Sequence, residues 1–171
     1  MTDGSALLMS LFHALQARGL WSDTRGANLL DGGAPFYRCY TCADGRFVAV
    51  GALEPQFYAA LITGLGLTAD EAPQFDMASW PQLHAQFEAL FATLDRDDWA
   101  ARFAGTDACV TPVLSLTEAP SHPHNQARAT FAGTPVQPGP APRFDGSSPA
   151  PATRPADLSL DAALTAWTGA V

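Results

Sequence analysis

A chain of 171 residues suits one ordinary domain, or one domain with an ordered tail, and can bury roughly two-thirds of its unfolded surface without disulfides or a metal. Nine basic residues, all arginine, against seventeen acidic ones give a net charge of −8, which excludes the basic footprint of a nucleic-acid binder and the polybasic patch of a membrane-surface protein. No apolar run approaches the ~18–20 residues of a membrane span, residues 1–10 show no basic leader pattern, and three cysteines fit reduced thiols in a cytoplasmic protein.

In chain order, the spacing of Leu7, Leu8, Leu11, Phe12 and Leu15 predicts a helix over 5–18, with Thr2, Asp3 or Ser5 as its cap and Gly19 as its stop. So strong an apolar stripe has to pack on something. Residues 22–34 read as a loop rich in Gly, Asp and Asn. Two β-prone runs around Asp44-Gly45 then predict a hairpin, with Phe47, Val48 and Val50 making the second strand a central one. Glu54-Pro55 ends that strand and opens a helix, since proline at the first helical position has no needed N–H to lose. Its buried face is Phe57, Tyr58, Leu61, Ile62 and Leu65, and Gly66 closes it.

A second helix starts at Ser79 with Pro81 in its first turn, and its stripe is Leu83, Phe87, Leu90, Phe91 and Leu94. A third follows, with Asp95 as cap, Asp98 behind it and Trp99 and Phe103 inward. Residues 107–114 predict a short strand that Pro112 confines to an edge or a bulge. Ser115 and Glu118 have the spacing of a capping box. Seven of the fourteen prolines lie between Pro135 and Pro155, a composition that predicts a semi-stiff extended linker. Residues 158–167 predict a last short helix. The fold class is therefore α+β: a small two-layer domain over 30–131, in which helices pack an antiparallel hairpin sheet. A linker helix and loop (1–29) precede it; a Pro-rich linker (132–157) and a C-terminal helix (158–171) follow.

Several short motifs carry little chemistry. Cys39 and Cys42 match C-x-x-C, but on a strand residues three apart point to opposite faces. His122 and His124 read as a surface turn, and His13 and His84 as partly exposed helix residues. Gly32-Gly33 and Gly64-Leu-Gly66 fit no phosphate-loop pattern. Glu54 is the carboxylate of interest, placed where a strand ends and a helix begins. It also suits a helix cap, where the dipole favours an acid.

The longer blocks are more specific. Residues 28–37 (NLLDGGAPFY), Ala43-Asp-Gly45, residues 48–58 (VAVGALEPQFY), 64–67 (GLGL), Trp80-Pro81 and 105–114 (GTDACVTPVL) closely resemble, in order and spacing, the α-methylacyl-CoA racemase branch of the family III (CaiB/BaiF-like) CoA-transferases. The resemblance covers about residues 1–131 and implies the small-domain portion of a longer enzyme. In that family a Rossmann-like large domain carries most CoA contacts and supplies the aspartate and histidine that move protons.

By that resemblance the chemistry is a 1,1-proton transfer that interconverts (R)- and (S)-2-methylacyl-CoA. No cofactor is implied, because acyl-CoA is itself the substrate. Glu54 would pair with the histidine of the large domain, and Leu30, Tyr37 and Leu53 would line the acyl or pantetheine side, though each also suits plain core. Ala52-Leu-Glu-Pro-Gln56 favours the racemase over the transferase branch. The resemblance further implies an interlocked homodimer or a large-domain partner chain, and little activity for this chain alone. The other readings are a family III CoA-transferase and a non-catalytic split-gene module that docks on a large-domain partner.

Overall fold

The computed structural model describes residues 1–144 and 159–168. The chain divides into two units, Met1–Val113 and Leu114–Val171.

In the first unit, the expected 5–18 helix is two helices, α1 (Thr2–Leu8) and α2 (Ser10–Ala17). They are broken at Met9, whose ψ of 1° leaves the helical range. None of the expected side chains caps α1: its N-cap is Met1, and the Ser5 hydroxyl bonds back to the Met1 carbonyl. Gly19 ends α2 as expected, with φ +69° and the Leu20 N–H reaching the Leu15 carbonyl. Neither helix has a buried residue; Phe12 meets Trp21 edge to face at 5.0 Å, while Leu7, Leu8 and Leu11 stay exposed.

The sheet is antiparallel and three-stranded in the order β1 (Tyr37–Thr41), β2 (Phe47–Gly51), β3 (Val110–Pro112). The predicted hairpin and the central position of β2 are both present. Cys42 N–H still bonds the Arg46 carbonyl, so the loop is Ala43-Asp44-Gly45, with Gly45 left-handed at φ +75°. Pro112 lies in an edge strand. Alternation sends Tyr40, Val48, Val50 and Val110 inward and Tyr37, Cys39, Phe47 and Thr111 to the opposite face.

Three helices complete the core: α3 (Pro55–Leu65), α4 (Trp80–Phe91) and α5 (Arg96–Phe103). Their buried faces are largely those the periodicity predicts: Tyr58, Leu61, Ile62 and Leu65; Trp80, Leu83, Phe87 and Phe91; Trp99 and Phe103. Tyr40 stacks on Phe91, and Phe36 meets Tyr58, Phe75 and Trp80 edge-on. Buried polar tips are satisfied by carbonyls: Tyr40 by Pro35, Tyr58 by Ala72, Trp99 by Phe91. Asp95 is the N-cap of α5 by position, but its carboxylate makes no cap bond, so the expected Asp95–Asp98 capping box does not form.

In the second unit, Ser115 and Glu118 do close a reciprocal box: Ser115 N–H donates to Glu118 Oε2, and Glu118 N–H to Ser115 Oγ. It opens a 3-10 turn, Ala119–Ser121. The His122-Pro-His124 turn is instead the start of a short helix, α6 (Pro123–Ala127), with His122 as N-cap. Within the Pro-rich stretch, β4 (Phe131–Ala132) and β5 (Gln137–Pro138) pair antiparallel, so its first part holds local structure where an extended linker was expected. Most of the remaining stretch lies outside the described residues. The last helix, α7, spans Leu160–Thr168.

Candidate functional site

The outward face of the sheet carries small residues. Cys39 lies opposite Ala49, Ala49 opposite Thr111, and Tyr37 opposite Gly51. Together with Leu30 and Cys109 they line a groove of about 570 Å³. Cys109 has φ +51°, a left-handed backbone unusual for a side chain with a Cβ, and its carbonyl accepts from Gly51 N–H at 2.9 Å. The thiol lies within electrostatic reach of two acids. Burial first, then the charges of Glu54 and Asp107, push the Cys109 thiol up from its ordinary value.

Glu54 is the N-cap of α3 by position, with φ −76° and ψ 144°, yet its side chain makes no cap hydrogen bond. Among the described residues, none is hydrogen-bonded or ion-paired to its carboxylate, which is exposed at the end of β2. The backbone beneath it is fixed. Ala52 N–H donates to the Phe36 carbonyl at 3.0 Å, Leu53 N–H to the Gly51 carbonyl at 2.9 Å, and the Glu54 carbonyl accepts the first helical bond from Tyr58 at 2.9 Å.

The four residues singled out from the sequence therefore fall in different surroundings. Leu30 and Tyr37 share the groove. Leu53 is half-buried and packs against the core. Glu54 stands at the strand end within electrostatic reach of Cys109.

The loop that presents Leu30 is built around Asp31. Its carboxylate accepts from Asn28 N–H and Asn28 Nδ2 (both 2.7 Å) and from Gly26 and Gly33 N–H (both 3.2 Å). Desolvation pushes the Asp31 carboxyl up, but these hydrogen bonds outweigh it and hold it below its ordinary value. Asn28, buried at 4% exposure, also bonds both ways with the Ser22 backbone. A Cβ on Gly33 would come within 2.6 Å of the Ala27–Asn28 backbone, so only glycine fits there.

His84 of α4 latches the same loop. Its Nε2 lies 2.7 Å from the Gly33 carbonyl, and its Nδ1 lies 2.6 Å from Arg38 Nη1. Sequence periodicity had placed His84 only as a partly exposed helix residue. Its role depends on Arg38 and Gly33, which lie 46 and 51 residues away in the chain.

Other cavities are present among the described residues. One, of about 280 Å³, is apolar and shares Leu30 with the groove; Phe12, Trp21, Phe75 and Trp80 line it. Another, of about 750 Å³, is an open groove by Asp70, Glu71 and Gln82 that shares no residue with the site. Among the described residues, no cluster of three or more His, Cys, Asp or Glu is placed to hold a metal ion. Cys39 is exposed and Cys42 buried, as strand alternation requires, and both are free thiols.

A model of CoA-transferase family III matches residues 2–157. The chain belongs to that family. Among the family's curated proteins, a Mus musculus "Alpha-methylacyl-CoA racemase" is 52% identical over 132 residues, covering 77% of this chain and 35% of that protein. Its Homo sapiens counterpart of the same name is 49% identical over 146 residues, covering 83% and 38%. A Caenorhabditis elegans CaiB/baiF CoA-transferase family protein is 35% identical over 135 residues, covering 78% and 38%. This family III chain thus spans between 35% and 38% of the length of the curated relatives it matches. Among its described residues no helix is long and apolar enough to cross a membrane.

Proposed function

We propose that the chain is the small-domain portion, centred on residues 30–131, of a cytoplasmic enzyme that epimerises 2-methylacyl-CoA thioesters in fatty acid metabolism. The observation that carries this reading is Glu54: a carboxylate at the strand-to-helix turn after β2, with no hydrogen bond or ion pair to the described residues, within electrostatic reach of Cys109, which lines a groove with Leu30 and Tyr37. The names of the two mammalian relatives support the same chemistry.

The thioester carbonyl acidifies the α-proton. A base on one face removes it to give an enolate, and an acid on the other face returns a proton. In this reading an aspartate and a histidine of a large domain do both. Glu54 faces that histidine, fixes its tautomer and stabilises the imidazolium form. Leu30, Tyr37 and Leu53 bound the acyl or pantetheine side. CoA brings phosphate charges that call for Arg, Lys or helix N-termini. With a net charge of −8 and no lysine, the chain leaves the phosphates to the large domain, in a homodimer or a partner chain.

The test measures α-epimerisation and solvent-deuterium exchange of a 2-methylacyl-CoA by the 171-residue chain alone and with a large-domain chain. Turnover by the chain alone at the rate of a full-length enzyme would sink the proposal. In the completed enzyme Glu54→Gln lowers the rate; an unchanged rate rejects the role of Glu54. The family's transferase name and the nematode relative favour one second reading, a CoA-transferase. CoA exchange between two acids without α-epimerisation would decide for it.

A further inference from the structure

A carboxylate that acts on a group outside its own unit has to be aimed by its backbone, because its side chain has no local bond to orient it. The turn that aims Glu54 is held from the loop between α3 and α4. Gln74 Nε2 donates to the Leu53 carbonyl at 2.9 Å and to the Ala52 carbonyl at 3.4 Å. Gln74 is itself pinned, since Trp80 Nε1 donates to its carbonyl at 2.9 Å. Trp80 is anchored in turn, buried at 6% exposure and edge-on to Phe36 at 5.8 Å. Phe36 supplies the carbonyl that takes Ala52 N–H. The two carbonyls lie past the last ladder pair of β2, and α3 opens on Pro55, which has no N–H. Gln74 supplies the donor that this strand-to-helix turn lacks.

We infer that Gln74 is the positioning residue for Glu54: it fixes the Ala52–Leu53 peptides and so sets where the Glu54 carboxylate stands. This rests on the reading of Glu54 given above. A glutamine that served only the general stability of the fold would affect Glu54 no more than the rest of the core. A positioning residue acts locally and through Glu54 alone.

Two measurements separate these. On the 171-residue chain, 15N relaxation of Gln74→Met, a substitution of similar length without the donor, shows lost order at the Leu53 and Glu54 amides. Val48, Val50 and Leu61 keep theirs, and Tm moves little. Gln74→Glu, which regains a donor when protonated, restores the order at acidic pH. Unchanged order at Glu54, or equal loss throughout the core, overturns the inference. If Gln74→Met does not fold, the acid rescue of Gln74→Glu decides alone, and its absence overturns the inference.

In the completed enzyme, Gln74→Met lowers kcat roughly tenfold with KM unchanged, and adds nothing to Glu54→Gln. Additive losses overturn the inference. If Glu54→Gln alone costs no activity, the reading of Glu54 fails instead, and the relaxation data still decide whether Gln74 orders the turn.

Discussion

The ring of Phe103 occupies the space that a side chain on Gly64 would need. A Cβ built there would overlap Cε1 of that ring and lie 2.8 Å from Cζ. Gly64 sits inside α3, where glycine costs roughly 1 kcal/mol of helix propensity against alanine. Here close approach of α3 and α5 outweighs propensity. Gly64→Ala is therefore expected to destabilise by up to about 2 kcal/mol, the ~1–3 kcal/mol cost of overpacking less the ~1 kcal/mol of propensity regained, measured by urea denaturation. Pairing it with Phe103→Leu should recover part of the loss. A stabilising Gly64→Ala would show that the contact is absent in solution.

His84 has a defined tautomer. The Arg38 guanidinium only donates, so Nδ1 accepts; the Gly33 carbonyl only accepts, so Nε2 carries the proton. Long-range 15N correlation spectra should show His84 as the Nε2–H form. His84→Leu strands the Gly33 carbonyl and removes a partner of Arg38. It should cost about 1–3 kcal/mol and raise amide exchange in the 26–33 loop more than in the sheet.

Asp31 links that loop to acid stability. Its carboxyl titrates below its ordinary value of 3.8 in the folded chain, so the folded state favours the ionised form. The stabilisation is complete above the unfolded value and is lost as pH falls through the lowered folded one. The Tm difference between wild type and Asp31→Asn should be constant near neutrality and shrink below pH ~4. A difference independent of pH would show that the four donors do not favour the charged carboxylate.

The Cys109 thiol reports on Glu54 without any substrate. Burial and the neighbouring charges of Glu54 and Asp107 suppress its thiolate. In a Cys39→Ser background at pH ~8, a disulfide reagent should react with Cys109 at least about twofold faster after Glu54→Gln, with a smaller gain at high salt. Cys42, at 3% exposure, should react only on unfolding. Equal rates would place the Glu54 carboxylate away from the thiol.

What the sequence revealed about the fold follows from range. The hairpin, the apolar faces of α3, α4 and α5 and the Gly66 cap depend on residues a few positions apart, and all were legible. Asp95 does cap α5 by position, but its side-chain cap bond and the unbroken first helix were expected from local preference and are absent, because neither is enforced by packing. For the site, the Glu54-Pro55 turn was visible as a strand-to-helix junction, and long sequence blocks pointed to the family. Gln74 and His84 were invisible as partners, since glutamine and histidine on a loop or helix carry no pattern. What identifies them is a carbonyl 21 residues away for Gln74 and one 51 residues away for His84. Only the folded chain brings these together.

Pro112 has one more effect. The bonds from Val113 N–H to the Phe47 carbonyl and from Gly51 N–H to the Cys109 carbonyl set the phase of β3. The Cys109 carbonyl, Thr111 and the Val113 N–H thus face β2, the Val113 carbonyl goes to Arg96 Nη1, and residues 110 and 112 turn their polar groups to the outer rim. A neighbouring strand seeking to extend the sheet past β3 would meet a pyrrolidine ring where it needs a donor. The outer rim is thereby blunted against self-templated growth and aggregation, a safeguard set by one imino acid in a three-residue strand.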